Sequence, residues 1–464
     1  MLEAIEKYNG MINDFIWGIP MIVLLLGTGI YFSIRLGFIQ VTKIKEIFRN
    51  FKEKLKKDRT DKKKGKSKGV SSIQSALIAL GGIVGSGNIA GVATAIAAAG
   101  PGALFWMWIA AFFGMAIKFA EITLGIIFRK KNKDGTYKSG PMYYLRDGVK
   151  SKFLAGLYAV LAVLSYIVIV AMVDTNTIVE AITAKFEIAP WIIGIVLMVI
   201  VGIVIFGGVK RLGKFSQVVV PSMGVFYVLV GLIVIIVNIK VVPSAFATII
   251  KSAFTPQAAA GGFLGASVAQ IIRYGLARGM YSNEAGMGSA AITHGPAEVD
   301  HPVEQGLWAP IEVFVDTILI CTITGLVIVI SGAWTNGMSG AALAMEAFKN
   351  VIPGKVGGEI GSYLILIASV LFSFTCLTSS GYACEECAKY LFGDKCKKVI
   401  KVLWLVFIMV GATTSLELVW DLADTVNGFM AIPNLLGLLI LSNLVVKSKK
   451  DYFSKKKDKK LATK

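Results

Sequence analysis

Long apolar runs separated by short polar segments occupy most of this sequence. Eleven of these runs approach or exceed the roughly 20 residues that an α-helix needs to cross a bilayer. They cover residues 16–37, 70–98, 103–128, 153–182, 190–208, 216–238, 263–290, 305–331, 360–382, 399–419 and 424–446. The pattern predicts an all-α polytopic membrane protein with 11 transmembrane helices, called spans 1 to 11 below.

The composition supports this prediction. Of the 464 residues, 55% are hydrophobic and only 17% are charged, which is too apolar for a soluble chain of this length. The net charge of +19 would suggest a nucleic-acid partner in a soluble protein. Here the excess lies in a few runs beside apolar segments, so we expect contact with the lipid bilayer and no nucleic acid.

The basic runs also predict the orientation. Residues 38–69 contain 13 Lys or Arg, and further basic runs follow span 3 (RKKNKDG) and span 5 (KRLGK), precede span 10 (DKCKKVIK) and begin the tail at Lys447. All of these lie on one side if the spans alternate. Since basic loops remain in the cytoplasm, the N-terminus is expected outside and the C-terminus in the cytoplasm. Span 1 lacks a basic n-region and a small-residue cleavage site, so it is expected to be retained.

Classical enzyme and metal motifs are absent. Cys384 and Cys387 form a CxxC without the second pair or thioredoxin-like context that zinc or redox chemistry requires, so reduced thiols are expected. His294 and His301 lie in one short loop with Glu298 and Asp300, and a polar loop is a simpler interpretation than a metal site. Neither H-E-x-x-H nor a nucleophile with its base occurs, so no enzyme activity and no organic cofactor are expected.

Span 2 contains GGIVGSGNIAG, Gly81–Gly91, with five glycines, a serine and an asparagine. Glycine in a helix interior costs about 1 kcal/mol relative to alanine. Close packing between helices is one explanation. The other is a broken helix whose unwound segment offers N–H and C=O groups to a ligand.

A broken helix in an inverted-repeat transporter should have a counterpart in the other half of the chain. Span 7 contains AQIIRYGLARGMYSNEAGMGSAAITHG, Ala269–Gly295, in which polar residues and glycines interrupt the apolar run. Spans 2–6 and 7–11 then form two units of five helices each. Because five is an odd number of crossings, the second unit starts on the opposite side of the membrane and is inverted relative to the first. The predicted regions are a first helix with a basic loop (1–69), repeat 1 (70–238), an extracellular connection with repeat 2 (239–446), and a basic cytoplasmic tail (447–464).

Three long segments resemble a known family. GSGNIAGVATAI, GPGALFWMW (Gly100–Trp108) and RGMYSNEAGMGSA (Arg278–Ala290) are similar to the conserved segments of the alanine or glycine:cation symporter family, the sodium:alanine symporters, within the amino acid-polyamine-organocation superfamily. The resemblance implies a leucine-transporter-like fold of 5+5 inverted repeats preceded by one extra helix. It also implies symport of sodium with alanine or glycine across the plasma membrane of a prokaryote.

In folds of this type, the resemblance places the substrate carboxylate at the N–H groups of the first break and the ammonium group at carbonyls of the second break. Asp174 and Asn176 in span 4 could contact the substrate or a cation, or could lie in an outer vestibule, and family members tend to carry Gln at the position of Asp174. Small lining residues favour alanine or glycine. The expected substrate-binding residues are Gly85, Ser86, Gly87, Asn88, Asp174, Asn176, Tyr274, Gly275, Leu276 and Ala277.

Sodium as the coupling ion needs hard oxygen ligands. Thr375, Thr378 and Ser379 in span 9 lie on one helical face. The resemblance pairs their hydroxyl groups with the carbonyl groups of Gly81 and Val84. The alternative is that these hydroxyl groups bond carbonyls of their own helix.

Other ionisable residues within the spans are candidates for gates or for structural pairs. Arg273, Arg278 and Glu284 could pair with one another, or with Asp174 and Asp316. Lys118, Glu121 and Glu180 are expected near the membrane interfaces, where a long side chain can reach water. The alternative functions are a proton-coupled carrier of small amino acids and, less consistent with two different breaks in one chain, an ion channel.

Overall fold

The structure is a computed structural model that describes residues 2–63, 69–132, 135–258 and 263–462. Residues 64–68 of the predicted basic loop, residues 133–134 after span 3 and residues 463–464 of the predicted tail lie outside the described residues.

The described chain is mostly helical. The helices of its first half are α1 (Leu2–Ile16), α2 (Ile19–Arg35), α3 (Ile39–Thr42), α4 (Ile44–Lys63), α5 (Ser72–Ile83), α6 (Val92–Ala99), α7 (Gly102–Phe128), α8 (Pro141–Asp147), α9 (Lys152–Leu164), α10 (Ala171–Thr183), α11 (Pro190–Ile205), α12 (Gly208–Val237) and α13 (Val242–Ser252). The helices of its second half are α14 (Val268–Asn283), α15 (Ser289–Thr293), α16 (Pro302–Gly306), α17 (Ala309–Val313), α18 (Thr322–Ser331), α19 (Gly340–Val351), α20 (Lys355–Phe392), α21 (Lys397–Thr413), α22 (Leu416–Ile440) and α23 (Ser442–Ala462).

Shorter elements connect or interrupt these helices. Three π-helical segments are Gly87–Gly91, Ser165–Val170 and Phe314–Cys321, and two 3₁₀ turns are Ala333–Thr335 and Asp394–Cys396. Four two-residue strands are β1 (Val70–Ser71), β2 (Lys130–Lys131), β3 (Tyr137–Lys138) and β4 (Ala297–Glu298). β1 pairs in parallel with β4, and β2 pairs antiparallel with β3.

Seven helical stretches of the described residues are long and apolar enough to cross a membrane, and the bent pair of α5 and the helix Gly87–Ala99 makes eight. The stretches are Tyr8–Arg35, Gly102–Phe128, Lys152–Thr183, Gly208–Val237, Pro302–Ser331, Lys355–Phe392 and Leu422–Ile440. Spans 5, 7 and 10 contain the shorter helices α11, α14 and α21. A multi-pass membrane protein is therefore confirmed, whereas eleven crossings remain a prediction.

Several boundaries differ from the predicted ones. Span 10 ends at Thr413, and α22 already begins at Leu416, because the polar segment Thr414–Ser415 interrupts the helix. Most described residues of the basic loop after span 1 form the helix α4, and the tail continues as α23. The sequence analysis also missed α19, which lies between spans 8 and 9 and buries one apolar face against α18 and α20.

The broken helix of span 2 lies at the centre of the helix bundle. Its first half, α5, packs between α12 and α20, while α14 packs along α7. The segment Gly87–Gly91 contacts α14, α19 and the π-helical segment of span 8. These contacts bring spans 2, 7, 8 and 9 together around one region of the interior.

Candidate functional site

The helix of span 2 is broken, as the sequence predicts. α5 ends at Ile83, and the helix that starts at Gly87 is inclined to it by 47°. Val84 and Gly85 lie outside the helical conformation between the two halves. We call this interruption the first break.

Glycines at the first break allow other helices to approach its backbone. A Cβ atom at Gly85 would lie 2.8 Å from Cβ of Cys376, and one at Gly87 would lie 3.0 Å from the ring of Tyr281. A Cβ at Gly81 would lie 2.8 Å from Cγ2 of Val220. Close packing therefore accounts for these glycines as well as the break, so the two explanations do not exclude each other.

Two N–H groups predicted to bind a substrate carboxylate already have acceptors within the protein. Gly85 N–H donates to Oδ1 of Asn88 at 2.8 Å, and Ser86 N–H donates to Oδ1 of Asp174 at 3.0 Å. In this conformation Asp174 thus binds the N-terminal end of the second half-helix, where a carboxylate is favoured by the helix dipole.

Asp174 lies at the first break and not in an outer vestibule. Its side chain is fully buried, and its second oxygen, Oδ2, has no hydrogen-bond partner. Among the described residues it forms no ion pair with Lys, Arg or His. Asn176 points elsewhere: its Nδ2 donates to the carbonyl of Thr414, after the end of α21, at 2.7 Å. The structure therefore brings Asp174 to the break but does not bring Asn176 there.

Asn88 connects three spans. Its Nδ2 donates to Oδ1 of Asp316 at 2.7 Å and to Oγ of Ser282 at 3.2 Å, while its Oδ1 accepts from Gly85. Ser282 and Thr317 donate to the other carboxylate oxygen of Asp316 at 2.8 and 2.6 Å. The Asn88 side chain thus holds the break against spans 7 and 8.

The second break exists, but its predicted position is wrong. Tyr274, Gly275, Leu276 and Ala277 lie inside the continuous helix α14, and the chain unwinds only at residues 284–288. Gly275 allows α14 to pack closely against α7, because a Cβ atom there would lie 2.5 Å from the carbonyl oxygen of Ala103. Glu284, directly after the end of α14 at Asn283, has a left-handed φ angle of 55°. Gly286 and Gly288 follow with positive φ angles of 99° and 82°.

Buried side chains form hydrogen bonds with many backbone groups of the second break. Oε1 of Glu121 accepts the N–H groups of Gly286 and Gly288 at 2.9 and 3.0 Å, and also Nδ2 of Asn434 at 2.7 Å. Lys118 donates to the carbonyl of Asn283 at 3.1 Å. The expectation that Lys118 and Glu121 reach water is wrong, because both side chains are fully buried against this break.

Two further carbonyl groups of the second break also accept side-chain donors. Asn434 donates to Gly286 at 2.8 Å, and the Tyr158 hydroxyl donates to Met287 at 2.9 Å. A substrate ammonium group therefore does not meet bare carbonyl groups at these positions.

The two histidines lie in different environments. His294 is fully buried, with Nε2 2.9 Å from Oε1 of Glu312, and Glu312 also pairs with Lys118 at 3.4 Å. His301 is partly exposed and lies 3.3 Å from Asp451. A shared polar loop is thus a wrong description of His294. Among the described residues, no group of three or more His, Cys, Asp or Glu could hold a metal ion.

A small buried cavity lies beside the first break. Its volume is about 10 Å³, close to the space that one water molecule needs. An amino acid fits only after the lining side chains have moved apart. The cavity is lined by Gly82, Ile83, Gly85, Ser86, Gly87, Val170, Tyr281, Glu284, Met287, Cys376 and Asn427.

Polar atoms in this lining face the interior of the protein. Ser86 Oγ lies 3.3 Å from the hydroxyl oxygen of Tyr281. Oδ1 of Asn427 accepts from Ser165 at 2.8 Å, whereas its Nδ2 is buried without a partner. The sequence analysis missed Tyr281 and Asn427. Tyr281 lies within a segment already singled out, whereas nothing in the local pattern distinguishes Asn427 from a packing residue.

The structure brings three of the five residues predicted to bind sodium, Gly81, Thr375 and Ser379, close together. A Cβ atom at Gly81 would lie 3.3 Å from Ser379 Oγ and 3.7 Å from Thr375 Cβ. Thr375 and Thr378 donate to carbonyls of their own helix, at Phe372 and Thr375, each at 2.9 Å. The Ser379 hydroxyl is buried without a partner. Since a hydroxyl that donates keeps its lone pairs, these internal bonds are compatible with cation binding.

A buried ion pair lies near Tyr281. Arg278 of α14 pairs with Asp424 of α22, and its guanidinium carbon lies 4.5 Å from the ring centroid of Trp420. The rings of Trp420 and Tyr281 lie 4.9 Å apart. We call these four residues, Arg278, Tyr281, Trp420 and Asp424, the lid cluster.

Solved structures share this fold. The crystal structure of MhsT in complex with L-phenylalanine matches with a TM-score of 0.58 at 14% identity, covering 80% of this chain and 87% of that chain. A likeness at this identity concerns the fold alone. Broken helices around a buried polar cavity are typical of membrane transporters.

Sequence comparisons identify the family. The model of the sodium:alanine symporter family matches residues 2–464. A relative named sodium/alanine symporter AgcS from Methanococcus maripaludis is 40% identical over 95% of this chain and 96% of its own length. A probable sodium/glutamine symporter, GlnT of Bacillus subtilis, is 39% identical over 98% and 92%. The chain belongs to the sodium:alanine symporter family, and it is a transporter and not an enzyme.

Proposed function

We propose that this protein takes up a small neutral amino acid, alanine or glycine or both, together with sodium, by alternating access. The observation that carries the proposal is the approach of Gly81, in the last turn of α5 before the first break, to Thr375 and Ser379 of α20, beside a buried polar cavity. Family membership supports amino acid and sodium as the transported species.

Sodium is proposed to bind between the first break and α20. Carbonyl oxygens of Gly81 and Val84 and hydroxyl oxygens of Thr375, Thr378 and Ser379 form a set of hard neutral ligands, which suits this ion. The proximity of Gly81 to Thr375 and Ser379 supports the assignment.

The amino acid is proposed to bind in the cavity beside the first break. Gly87 N–H in the first turn of the second half-helix, the Ser86 hydroxyl and Nδ2 of Asn427 are the donors offered to its carboxylate. The Glu284 side chain lines the same cavity and is proposed to bind the ammonium group of the amino acid. These residues replace Tyr274–Ala277, whose backbone is helical.

The packed side chains around the cavity favour a small substrate. Ring atoms of Tyr281 and the Met287 and Cys376 side chains enclose it, so each additional substrate carbon requires a larger displacement of packed groups. A relative named as a glutamine symporter shows that family names include larger amino acids. Alanine and glycine are therefore the first substrates to test, with glutamine as the comparison.

The proposed topology has eleven crossings, an outside N-terminus and a cytoplasmic C-terminus. Repeat 1 (70–238) and repeat 2 (239–446) each begin with a broken span, which supports two inverted units. Segment 1–69 and tail 447–464 are peripheral additions in this scheme. Alternating access then moves the broken helices relative to the other spans.

Uptake into proteoliposomes tests the proposal. An inward sodium gradient should drive saturable uptake of radiolabelled alanine, and equimolar choline at the same pH should abolish it. Undiminished uptake in choline would contradict sodium coupling and would favour the proton-coupled alternative. A non-saturating current without substrate accumulation would instead indicate a channel.

A further inference from the structure

A cavity of about 470 Å³ lies where three basic runs of the sequence meet. Its lining includes Lys131 of RKKNKDG, Lys210 of KRLGK and Lys397 of DKCKKVIK, which are runs predicted to lie in the cytoplasm. Lys131 and Lys210 are exposed, so the cavity reaches the protein surface. We call it the basic vestibule, and the proposed topology places it on the cytoplasmic side.

A second cavity lies between the basic vestibule and Thr378, a proposed sodium ligand. Thr378 belongs to the lining of this second cavity alone, and Lys389 belongs to that of the vestibule alone. The volume of the second cavity is about 10 Å³, close to the space that one water molecule needs. It therefore forms a narrow connection in this conformation. The lining residues that the two cavities share are Gly208, Val209, Tyr382 and Glu385.

One face of α20 follows the connection from end to end. Thr378, Tyr382, Glu385 and Lys389 succeed one another at intervals of four, three and four residues, so their side chains lie in one row along the helix. The row starts at the proposed sodium ligand and ends in the vestibule. Glu385 is the carboxylate of this row, and it lies where the two cavities meet.

Two lysines bind Glu385 in this conformation. Its Oε1 lies 3.2 Å from Nζ of Lys389, and its Oε2 lies 3.2 Å from Nζ of Lys401 on α21. The three side chains are largely buried, with relative exposures of 8% for Lys389 and 12% for the other two. Lys389 also pairs with Glu386, the next residue after Glu385.

The charges of the vestibule make a carboxylate at its inner end important for a cation. The described lining contains four lysines and three glutamates, which are Lys131, Lys210, Lys389 and Lys397, and Glu298, Glu385 and Glu386. Lysines repel sodium, and an ion that leaves water needs oxygen ligands or a compensating charge. Of the three glutamates, Glu385 is the one that also lines the narrow connection.

We propose that the Glu385 carboxylate is a relay ligand, which binds sodium briefly on its way from Thr378 to the basic vestibule. Lys389 and Lys401 bind this carboxylate while the connection is narrow, and sodium competes with them when the connection widens. The inference rests on the proposed sodium-coupled uptake and its topology. It adds the residue through which the ion leaves.

A comparison of net uptake with exchange tests this role, in right-side-out membrane vesicles from a host without its own alanine uptake. Net uptake requires sodium to leave towards the inside. Exchange of internal for external alanine, with equal saturating sodium on both sides, proceeds without sodium release. Glu385→Gln should lower the maximal rate of net uptake by about fivefold or more and leave exchange within about twofold of the wild type.

A merely structural ion pair between α20 and α21 would change both rates alike. Glu386→Gln is the matched control, because Glu386 also pairs with Lys389 but does not line the narrow connection. Both rates of this variant should stay within about twofold of the wild type.

Lys401→Gln gives a second measurement that does not require Glu385→Gln to fold. Without one of its two lysines, Glu385 binds sodium more readily, so internal sodium should inhibit net uptake at a concentration about threefold lower than in the wild type. Lys398→Gln is the control, because Lys398 is an exposed lysine on the same helix.

Four results would overturn the relay. They are unchanged net uptake in Glu385→Gln, an equal loss of net uptake and exchange in that variant, the same selective loss in Glu386→Gln, and an unchanged inhibitory sodium concentration in Lys401→Gln. If the wild type shows neither sodium-driven net uptake nor alanine exchange, the proposed function itself fails.

Discussion

Arg278 of α14 and Asp424 of α22 form a buried ion pair, with relative exposures of 3% and 6%. Arg278 lies three residues before Tyr281 on α14, and the Tyr281 ring covers Gly87 at the cavity. Breaking a buried pair by removing one partner typically costs about 3–5 kcal/mol. The pair joins spans 7 and 11, and we expect a state in which these spans move apart to separate it.

Asp424→Asn should therefore weaken the closed lid cluster. We expect at least a tenfold loss of alanine uptake, together with greater labelling of the native Cys376, which lines the cavity, by a membrane-impermeant thiol reagent. Arg273→Gln is the control, since Arg273 lies on the same helix but pairs with the exposed Asp14. Unchanged labelling in Asp424→Asn would show that the pair does not close the path to the cavity.

Gly85→Ala should destabilise the protein through overpacking. The added Cβ would lie 2.8 Å from Cβ of Cys376, and strain of this kind costs about 1–3 kcal/mol. Gly224→Ala, in α12, meets no atom within 4 Å and should be neutral or slightly stabilising. Thermal unfolding of the purified proteins compares the two. Equal transition temperatures would remove the packing role assigned to Gly85.

Thr378→Val should raise the sodium concentration for half-maximal uptake about tenfold, which corresponds to about 1.4 kcal/mol of lost ion binding. Thr183→Val serves as control, because the Thr183 hydroxyl also bonds its own helix, at Val179, but lies at the end of α10. If both variants show the wild-type sodium dependence, Thr378 is not an ion ligand.

Glu121 positions the second break through an oxygen that accepts hydrogen bonds. For stability and uptake, this acceptor should matter more than the negative charge of the side chain. Glu121→Gln retains an acceptor for Gly286 and Gly288, whereas Glu121→Ala leaves both N–H groups buried without one. An unsatisfied buried group costs about 1–3 kcal/mol. We expect Glu121→Ala to lose thermal stability and uptake, and Glu121→Gln to retain most of both. Equal behaviour of the two variants would contradict the positioning role.

The local residue pattern was sufficient to predict the position of the first break but not that of the second. Around Gly85 the glycines, Ser86 and Asn88 interrupt an apolar run, and the helix breaks there. In span 7 the charged residues begin at Arg273, yet the helix continues to Asn283. Arg273 and Arg278 find acidic partners on α1 and α22, so their polarity does not disturb the backbone.

Long-range partners explain the other differences. Lys118 and Glu121 resemble residues near an interface when only span 3 is considered, but their acceptors and donors lie 165 or more residues away. Asp174 likewise binds Ser86, which lies 88 residues earlier in the chain. Tertiary packing determines the backbone group that each buried charge contacts. The periodicity of a single sequence carries no information about this packing.

Coupling of sodium to the amino acid is the central claim, and equilibrium binding to the purified protein tests it most directly. Titrations of alanine at several sodium concentrations, and of sodium at several alanine concentrations, should show that each ligand raises the affinity for the other by the same factor, about tenfold or more. Alanine binding that is identical in sodium and in choline would contradict the account.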